Sequence, residues 1–302
     1  MELRQVTVRV PATAANLGPG FDCLGMALGL WNVVRLEVGK PGVSVVGEGS
    51  DTLSREDDNL ILRAMHTLFY HVGVVPPTFG LHCKNTIPLA RGLGSSAAAV
   101  VGGLVAANYL CGQPLEKDVL LQMAVSLEGH PDNVTPAMLG GLQIVAQDDG
   151  HLVTSRVRLP RQLSAVVFIP DVPMPSQEAR AILPHELNWE QTIYNLGRVA
   201  LLVNSLAMGK LDHLKVATQD ALHQPTRQRV FQSMDRIIQA ALAAGANGAF
   251  LSGAGSSVVA LTLERHMTIG YEMAEAAQKS GVTGTFRVLR PTSRGCYVAS
   301  KA

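Results

Sequence analysis

Apolar residues recur along the chain at two spacings, one typical of strands and one typical of helices. They alternate with polar residues at 6–10 and 33–38, as in half-buried strands, and recur three and four positions apart at 59–72, as in an amphipathic helix. The same patterns predict further strands and helices in the first half, the strands at 43–48, 79–83, 142–146 and 152–157 and the helices at 95–109 and 117–127. We expect hairpins across the turns at 39–42 and 148–150.

The pattern starts again after Pro160 and describes a second unit. Its predicted strands are 164–169, 248–251, 258–263 and 285–289, and its predicted helices are 177–183, 189–207, 229–244 and 265–279. A chain of 302 residues is long enough for two domains. We therefore divide it into a β-rich first unit, residues 1–158, and an α+β second unit, residues 159–302.

Composition and charge restrict the classes of partner. Hydrophobic residues make up 47% of the chain and charged residues 16%, and 25 Lys and Arg against 24 Asp and Glu leave a formal net charge of +1. This balance offers no overall attraction to nucleic acid or to an anionic membrane, and only 5% of the residues are aromatic. We therefore expect neither partner, and any anionic ligand needs a local site.

Several features favour a cytoplasmic protein. The longest run of small and apolar residues, 97–110, is interrupted by glycines and Asn108 and is too short to span a bilayer. The first ten residues alternate between polar and apolar and lack the continuous apolar stretch of a secretory signal. The four cysteines lie far apart in the sequence and form no C-x-x-C pair, as expected for reduced thiols.

The glycine turn at 88–99, PLARGLGSSAAA, is the most informative segment. Gly92 and Gly94 permit tight backbone and let an anion approach the amide hydrogens, and Ser95 then begins a helix. A helix N-terminus presents unpaired N–H groups and about half a positive charge, which suit a triphosphate. No Gly-Lys-Ser/Thr follows, so this is not a Walker A loop. On its own, the segment is explained equally well as a glycine turn with a serine N-cap.

Three other segments concentrate polar residues. PATAANLGPGFD at 11–22 follows the first strand, where loops commonly present polar groups to ligands. LEGHPDNV at 127–134 places two carboxylates, an imidazole and an amide within six residues of a turn, and LSGAGSS at 251–257 is a second glycine-serine turn. Each could be structural, because Asn and Asp side chains satisfy turn backbone. Their occurrence together indicates a functional site.

These motifs resemble those of the GHMP kinase superfamily, and their amino-acid sequences are similar to those of its homoserine kinase family. PATxANLGPGFD, RGLGSSAA and EGHPDNV are present almost letter for letter, and the likeness covers nearly the whole chain. Ala14 departs from the serine of many members. The resemblance implies an α+β, two-domain GHMP kinase fold, with an N-terminal β-rich α/β domain that carries the phosphate loop and a C-terminal ferredoxin-like α+β domain. It also implies that ATP and Mg²⁺ are used to phosphorylate the side-chain hydroxyl of L-homoserine, giving O-phospho-L-homoserine for threonine biosynthesis.

The resemblance assigns roles in nucleotide binding. Ser96 and Glu128 would hold magnesium on the β and γ phosphates, and with Asn16 they form the expected catalytic set. Asn59 resembles the residue that meets adenine, although an asparagine at a helix N-cap has an equally good structural reason. The phosphates would be cradled by backbone amides, those of Arg91, Gly92, Leu93, Gly94, Ser95 and Ser96.

A second set of residues resembles the pocket for the amino-acid acceptor. Asp22, with help from Asp132, would take the ammonium, and Asn16 would lie near the reacting hydroxyl. The carboxylate would meet two arginines, Arg180 and Arg227, whose guanidinium forks suit it. Without the resemblance, the pattern alone would favour a solvated helix face for Arg180. The remaining expected lining residues are His130, Asn133 and Ser176.

Some alternatives stay open at this point. Mevalonate and galactose kinases use an aspartate as general base, whereas homoserine kinases align the hydroxyl without an obvious one. A sibling kinase, acting on mevalonate or on cytidyl-erythritol, would keep the phosphate loop and lack an amino-acid pocket. A non-catalytic nucleotide-binding protein would have lost Ser96 or Glu128, and both are present. Dimers are common among family members, so a homodimer is one expected assembly.

Overall fold

The first half of the chain and residues 297–301 form a seven-stranded sheet. The computed structural model describes residues 5–301. Its strands are β1 Gln5–Ala15, β2 Leu24–Val38, β3 Gly42–Gly47, β4 Phe79–Asn85, β5 Leu142–Asp148, β6 His151–Val157 and β11 Tyr297–Lys301. Five of them lie in the order β11-β1-β2-β4-β3, and β5 pairs with the start of β2 and with β6.

The long antiparallel pair β1–β2 positions the first polar loop. The prediction that a loop begins at Pro11 is wrong, because residues 11–15 continue the ladder opposite β2 after a register shift between Pro11 and Ala12. Ala12, Ala14 and Ala15 are buried, so these small side chains belong to the core. The loop therefore begins at Asn16 and ends before Leu24.

The predicted hairpin between 33–38 and 43–48 is also wrong. β4 lies between these two segments, pairing antiparallel with β2 and parallel with β3. Leu81 and Cys83 of β4 are buried, as expected for a central strand, whereas most of β3 is exposed at the edge. The turn at 39–42, which connects β2 to β3, passes over β4 at Gly80. A Cβ atom on Gly80 would overlap the carbonyl oxygen of Lys40. The second predicted hairpin, β5–β6, is confirmed.

Four helices accompany the first sheet. They are α1 Leu60–His71, α2 Ser95–Leu110, α3 Lys117–Glu128 and α4 Pro131–Leu139. The predicted helices at 59–72, 95–109 and 117–127 are confirmed, but α4 was not predicted. The turn expected across 127–134 is therefore only Gly129 and His130, between two helices. The two glycines at 140–141 then end α4 and lead into β5.

The second half forms an antiparallel sheet in the order β10-β7-β9-β8. Its strands are β7 Ser164–Pro170, β8 Gly248–Leu251, β9 Val258–Thr262 and β10 Gly284–Leu289. Between β7 and β8 lie α5 Ser176–Ala181, α6 Trp189–Met208, a 3-10 turn, α7 Leu214–Ala217, α8 Gln224–Arg227 and α9 Met234–Ala243, and α10 His266–Lys279 connects β9 to β10. This strand order, with α9 and α10 against one face, is the expected ferredoxin-like arrangement.

The two sheets share buried contacts. Alternate residues of β7 point to opposite faces, so that Val166 and Phe168 pack against α9 and α10, whereas Ala165 and Val167 join the cluster that contains the core of the first sheet. The helix predicted at 229–244 begins only at Met234, and β11 was not predicted. The division at residue 158 stays a prediction, and the end of the chain returns to the first sheet. Among residues 5–301, no helix has the length and apolar character needed to cross a membrane.

Candidate active site

The glycine turn lies where the two sheets meet. Gly92 and Gly94 both have positive φ, and a Cβ on either would overlap a neighbour, the carbonyl oxygen of Ser252 for Gly92 and Oγ1 of Thr13 for Gly94. The turn is also fixed by hydrogen bonds, because Ser252 Oγ donates to the Gly92 carbonyl at 2.6 Å and the Thr13 amide to that of Leu93 at 3.1 Å. Residues distant in the sequence therefore hold this turn in place.

The amides of residues 91–96 are free to bind a ligand. Within residues 5–301, none of these six N–H groups donates to an acceptor in the chain. Gly94 is the N-cap of α2, and its left-handed backbone begins a helix of 16 residues. The free N–H groups and the helix dipole together form an anion site. The Arg91 side chain is directed elsewhere, since it donates to the carbonyl oxygens of Pro170 and Asp171.

A line of polar side chains runs from the start of α2 to the start of α4. Ser96 Oγ donates to Glu128 Oε2 at 2.8 Å, and Glu128 Oε1 lies 3.9 Å from His130 Nε2. His130 Nδ1 lies 2.7 Å from Asp132 Oδ1, which also accepts from Asn133. These groups come together because α3 ends at Glu128 and only two residues separate it from the start of α4.

Burial and neighbouring charges perturb these groups. Burial raises the pKa of Glu128, and the hydrogen bond from Ser96 partly offsets the increase. Burial alone would lower the pKa of His130, but its hydrogen bond to Asp132 and the charges of Asp132 and Glu128 raise the pKa on balance. Because water solvates the buried Glu128 carboxylate poorly, a cation placed beside it would stabilise its charged form.

Opposite charges face one another across a small pocket beside this line. Arg180 donates to both carboxylate oxygens of Asp22, at 2.7 and 2.9 Å. Both residues line the pocket, which has a volume of about 30 Å³. The ring of Phe21 lies beneath both guanidinium groups, with its centroid 5.2 Å from Arg180 Cζ and 5.7 Å from Arg227 Cζ. The hydrogen bond that Arg180 donates to Asp22 raises the pKa of Arg180.

Arg227 is buried and held by hydrogen bonds. Its Nη1 donates to the carbonyl oxygen of Gly253 at 2.8 Å and to Nδ1 of His223 at 2.9 Å. Nε2 of His223 lies 2.8 Å from the carbonyl oxygen of Gly18 and donates to it, which leaves Nδ1 as the acceptor. Burial lowers the pKa of His223 and lowers that of Arg227 to about 10. At neutral pH, a neutral imidazole thus orients a charged guanidinium.

The loop at 16–22 is fastened to the second glycine-serine turn. Asn16 has positive φ, its Nδ2 donates to the Gly253 carbonyl at 3.1 Å, and its Oδ1 accepts from the Asp22 amide at 3.0 Å. The Gly253 amide in turn donates to the Ala15 carbonyl. One turn of the second sheet therefore holds both Asn16 and Arg227 against the pocket.

A mainly apolar cavity of about 250 Å³ lies on the other side of the α2 N-terminus. Asn59 lines it, but its side chain caps α1 through Ile61 and donates to the Ser54 carbonyl at 2.7 Å. Such a cavity fits a flat apolar ring attached to phosphates held at α2. Its walls come from the first unit, and they include Val34, Val45, Leu53, Cys83 and Ala98.

The donor set suits magnesium. No group of three or more His, Cys, Asp or Glu side chains arranged for a metal occurs among residues 5–301. The Ser96 hydroxyl and the Glu128 carboxylate are hard oxygen donors already in contact. Magnesium typically takes one or two such ligands together with phosphate oxygens and water. These two residues therefore fit this ion when phosphates lie at the turn.

The structure brings most of the expected residues to one place. The substrate set lines the small pocket together, comprising Asn16, Asp22, His130, Asp132, Asn133, Ser176, Arg180 and Arg227. Ser95, Ser96 and Asn59 line the apolar cavity instead. Three residues that contact the site were not predicted from the sequence, namely Thr13, Phe21 and His223. Thr13 donates to Asn133 at 2.7 Å across 120 positions of sequence, a pairing that no local pattern signals.

Comparisons with known proteins agree with this geometry. Residues 59–141 match the GHMP kinases N terminal domain, and residues 205–281 match the GHMP kinases C terminal domain. The chain is 39% identical to the homoserine kinase of Caldicellulosiruptor bescii over 98% of this chain and 97% of that protein. It is 42% identical to the homoserine kinase of Moorella thermoacetica over 96% of this chain and 99% of that one.

A solved structure extends the likeness to three dimensions. The homoserine kinase of Cytophaga hutchinsonii superposes with a TM-score of 0.87 at 30% identity, covering 97% of both chains. Sequence and fold therefore agree, and this chain belongs to the homoserine kinase family of the GHMP kinases.

Proposed function

We propose that this protein transfers the γ-phosphoryl group of ATP to the side-chain hydroxyl of L-homoserine and releases O-phospho-L-homoserine, a step of threonine biosynthesis. One observation carries the proposal. The pocket that pairs Asp22 with Arg180, with Arg227 beside them, adjoins the free amides at the start of α2. GHMP kinases use ATP, and an amino acid supplies the ammonium and carboxylate that complement this pocket.

The proposed binding mode exchanges charge partners. In the structure Asp22 and Arg180 neutralise each other. On binding, the ammonium of homoserine takes Asp22 and its carboxylate takes Arg180 and Arg227, so no buried charge is left without a partner. His223 keeps Arg227 in position, and the loop carrying Asn16 directs the hydroxyl toward the phosphate turn. Alignment of this kind is the main contribution of a protein to phosphoryl transfer.

The proposal includes magnesium, held by Ser96 and Glu128, which would neutralise charge on the phosphate oxygens. In this binding mode both carboxylates of the substrate pocket have partners, because Asp22 faces the homoserine ammonium and Asp132 Oδ1 accepts from His130 and Asn133. We therefore assign the hydroxyl proton to an oxygen of the transferred phosphoryl group. The O–H bond breaks as the new P–O bond forms, and ADP leaves with the bridging oxygen.

A side-by-side assay of ADP release tests the activity. We expect rapid release with L-homoserine and release near background with mevalonate and shikimate. 4-Hydroxybutanoate, which keeps the carboxylate and hydroxyl and lacks the ammonium, should be a poor acceptor because it leaves Asp22 without a cation. Efficient use of mevalonate with no use of homoserine would assign the chain to a sibling activity. No turnover of any acceptor would indicate a nucleotide-binding role alone.

Arg227→Gln tests the carboxylate assignment. We expect the KM for homoserine to rise by an amount equivalent to roughly 2 to 5 kcal/mol, the usual cost of removing one partner of a buried charge pair. The KM for ATP should stay nearly constant, which also reports that the variant is folded. Arg229→Gln, two positions away and exposed, is the matched control. An unchanged KM for homoserine in R227Q would contradict the assignment.

The cytoplasm and a homodimer complete the proposal. Cys23, Cys83, Cys111 and Cys296 are all free thiols, and burial raises the pKa of both Cys83 and Cys296 to about 12. Unreactive free thiols are typical of proteins in a reducing compartment.

The homodimer is supported by apolar side chains exposed along α6, including Trp189 at 82% and Leu196 at 65%. Sedimentation of the protein, alone and with Leu196→Asp, tests that assembly.

A further inference from the structure

We propose that a second anion site, separate from the kinase site, lies in a cleft lined by four arginines and binds small polyanionic metabolites. The cleft has a volume of about 390 Å³ and is lined by Arg156, Arg158, Arg161 and Arg290. The segments that line it belong to β6, to the connection from β6 to β7 and to the connection from β10 to β11. It therefore lies where the chain passes between the two sheets in both directions.

The charge of the cleft is uncompensated by the protein. None of the described residues that line it is acidic, and within residues 5–301 none of the four guanidinium groups has a carboxylate within 4.0 Å. Four like charges around one cavity repel one another, and an anion placed among them relieves the repulsion. On a chain whose formal net charge is only +1, this concentration of arginine is a strong local feature.

The lining of the cleft indicates the class of ligand. Guanidinium groups pair through two parallel hydrogen bonds with phosphate or carboxylate, and four of them match a ligand with at least two anionic groups. The apolar side chains of Val157, Leu159 and Leu163 also line the cleft and offer contacts for a carbon skeleton. A cavity of several hundred Å³ is in the usual range for small-molecule sites. A phosphorylated or polycarboxylic metabolite meets all three conditions.

Part of the cleft is held rigidly. Arg156 donates to the carbonyl oxygen of Leu139, and its side chain lies over Gly141, where a Cβ atom would come within 3.2 Å of Arg156 Cδ. On the opposite wall, the Arg290 carbonyl accepts from the Gly29 amide at 2.9 Å, and the Gly141 amide donates to the Thr292 carbonyl at 2.7 Å. The walls are thus joined through backbone, so a ligand meets an arrangement that already exists.

The cleft is distinct from the kinase site. α4 separates them, since its first turn carries Asp132 and Asn133 of the substrate pocket and its last turn leads into Gly141 of the cleft. A helix of nine residues is roughly 13 Å long, which exceeds the reach of a single small ligand.

Calorimetric titration with fructose 1,6-bisphosphate and with citrate, at constant ionic strength, tests the site. Three proteins are compared: the unaltered chain, Arg158→Gln with Arg161→Gln, and the control Arg229→Gln with Arg236→Gln, which removes two exposed arginines elsewhere in the second unit. All three keep the phosphate turn, so anion binding there is common to them. Unchanged turnover of homoserine and ATP verifies that each variant is folded.

We expect at least one of the two anions to bind at the cleft, with affinity reduced at least about tenfold in R158Q/R161Q and nearly unchanged in R229Q/R236Q. Tighter binding of the bisphosphate would assign the site to phosphorylated metabolites, and tighter binding of citrate to polycarboxylates. Equal affinities in all three proteins, or an equal loss in both double variants, would overturn the proposal.

Discussion

Glu128 is the single side chain on which the proposed magnesium binding depends most. Replacing it by glutamine keeps an acceptor for Ser96 and removes the negative charge. We expect the kcat to fall by about two orders of magnitude, equivalent to about 3 kcal/mol of lost transition-state stabilisation, and the half-saturating concentration of magnesium to rise. Steady-state kinetics over a range of magnesium concentrations measures both effects.

Glu272→Gln is the control for that experiment, because Glu272 lies exposed on α10. It should behave as the unaltered enzyme does. Turnover of E128Q within a few fold of normal, with unchanged magnesium dependence, would refute the role of Glu128.

His130 makes the stability of the protein depend on pH. Because its pKa is raised in the folded state by Asp132 and Glu128, the protonated imidazole stabilises the fold. This contribution is fully present below the unfolded-state pKa, about 6.5, and is lost as the pH rises through the higher folded-state value. The difference in free energy of unfolding between the unaltered protein and His130→Asn should therefore shrink as the pH is raised from about 6 to about 9.

Urea titrations at a series of pH values measure this difference. His185→Asn, which removes an exposed imidazole, is the control. A difference that is constant with pH would show that the charge of His130 has no part in stability.

At the residue scale, sequence reasoning worked where motifs carry chemistry within a few positions. Ser96, Glu128 and Asp132 come from such motifs, and the structure brings them into one connected line. It failed for residues whose partners are distant in the chain. The ring of His223 is held by the carbonyl oxygen of Gly18, which lies 205 positions away in the sequence. Nothing in the local sequence distinguishes this histidine from an ordinary core histidine.

Two glycines inside helices should respond in opposite ways to substitution by alanine. Gly103 of α2 faces α1, where a Cβ would lie 2.6 Å from the Ile61 carbonyl oxygen, whereas a Cβ on Gly197 of α6 would meet nothing within 4 Å. Gly103→Ala should destabilise the fold by roughly 1 to 2 kcal/mol, because overpacking outweighs the gain in helix propensity. Gly197→Ala should stabilise it by about 0.5 to 1 kcal/mol.

Urea unfolding of the two variants beside the unaltered protein measures both changes. Each glycine serves as the control for the other, since both substitutions add the same methyl group to a helix interior. Stabilisation by G103A equal to that by G197A would show that α1 and α2 do not need their close approach.

The elements themselves were predictable in type and less so in extent or pairing. Amphipathic spacing placed α1 within a residue of its observed ends, and the cap at Asn59 has clear local chemistry. Periodicity carries no information on neighbours, so the insertion of β4 between β2 and β3 could not be foreseen. α4 was missed because its nine residues include two prolines and expose almost no polar face.

The whole molecule should unfold in one step, because the largest buried cluster includes residues of both sheets. Ile237 is fully buried against the far face of the second sheet, and Trp31 lies in β2 of the first. In a Trp189→Phe background, which leaves Trp31 as the only tryptophan, Ile237→Ala should lower the stability reported by Trp31 fluorescence by about 2 to 4 kcal/mol.

Met267→Ala, at a site 54% exposed on α10, is the control for that experiment and should have little effect. An unchanged Trp31 transition in I237A would mean that the units unfold separately.

The position of β11 bears on when this protein can fold. β11 forms the edge of the first sheet beside β1, in a register that joins Val6 to Lys301 and Arg9 to Tyr297. During synthesis, β1 therefore keeps one edge unpaired until the second sheet and β11 have been translated. The first half of the chain alone cannot complete the first sheet, because its closure requires a strand that follows the second sheet.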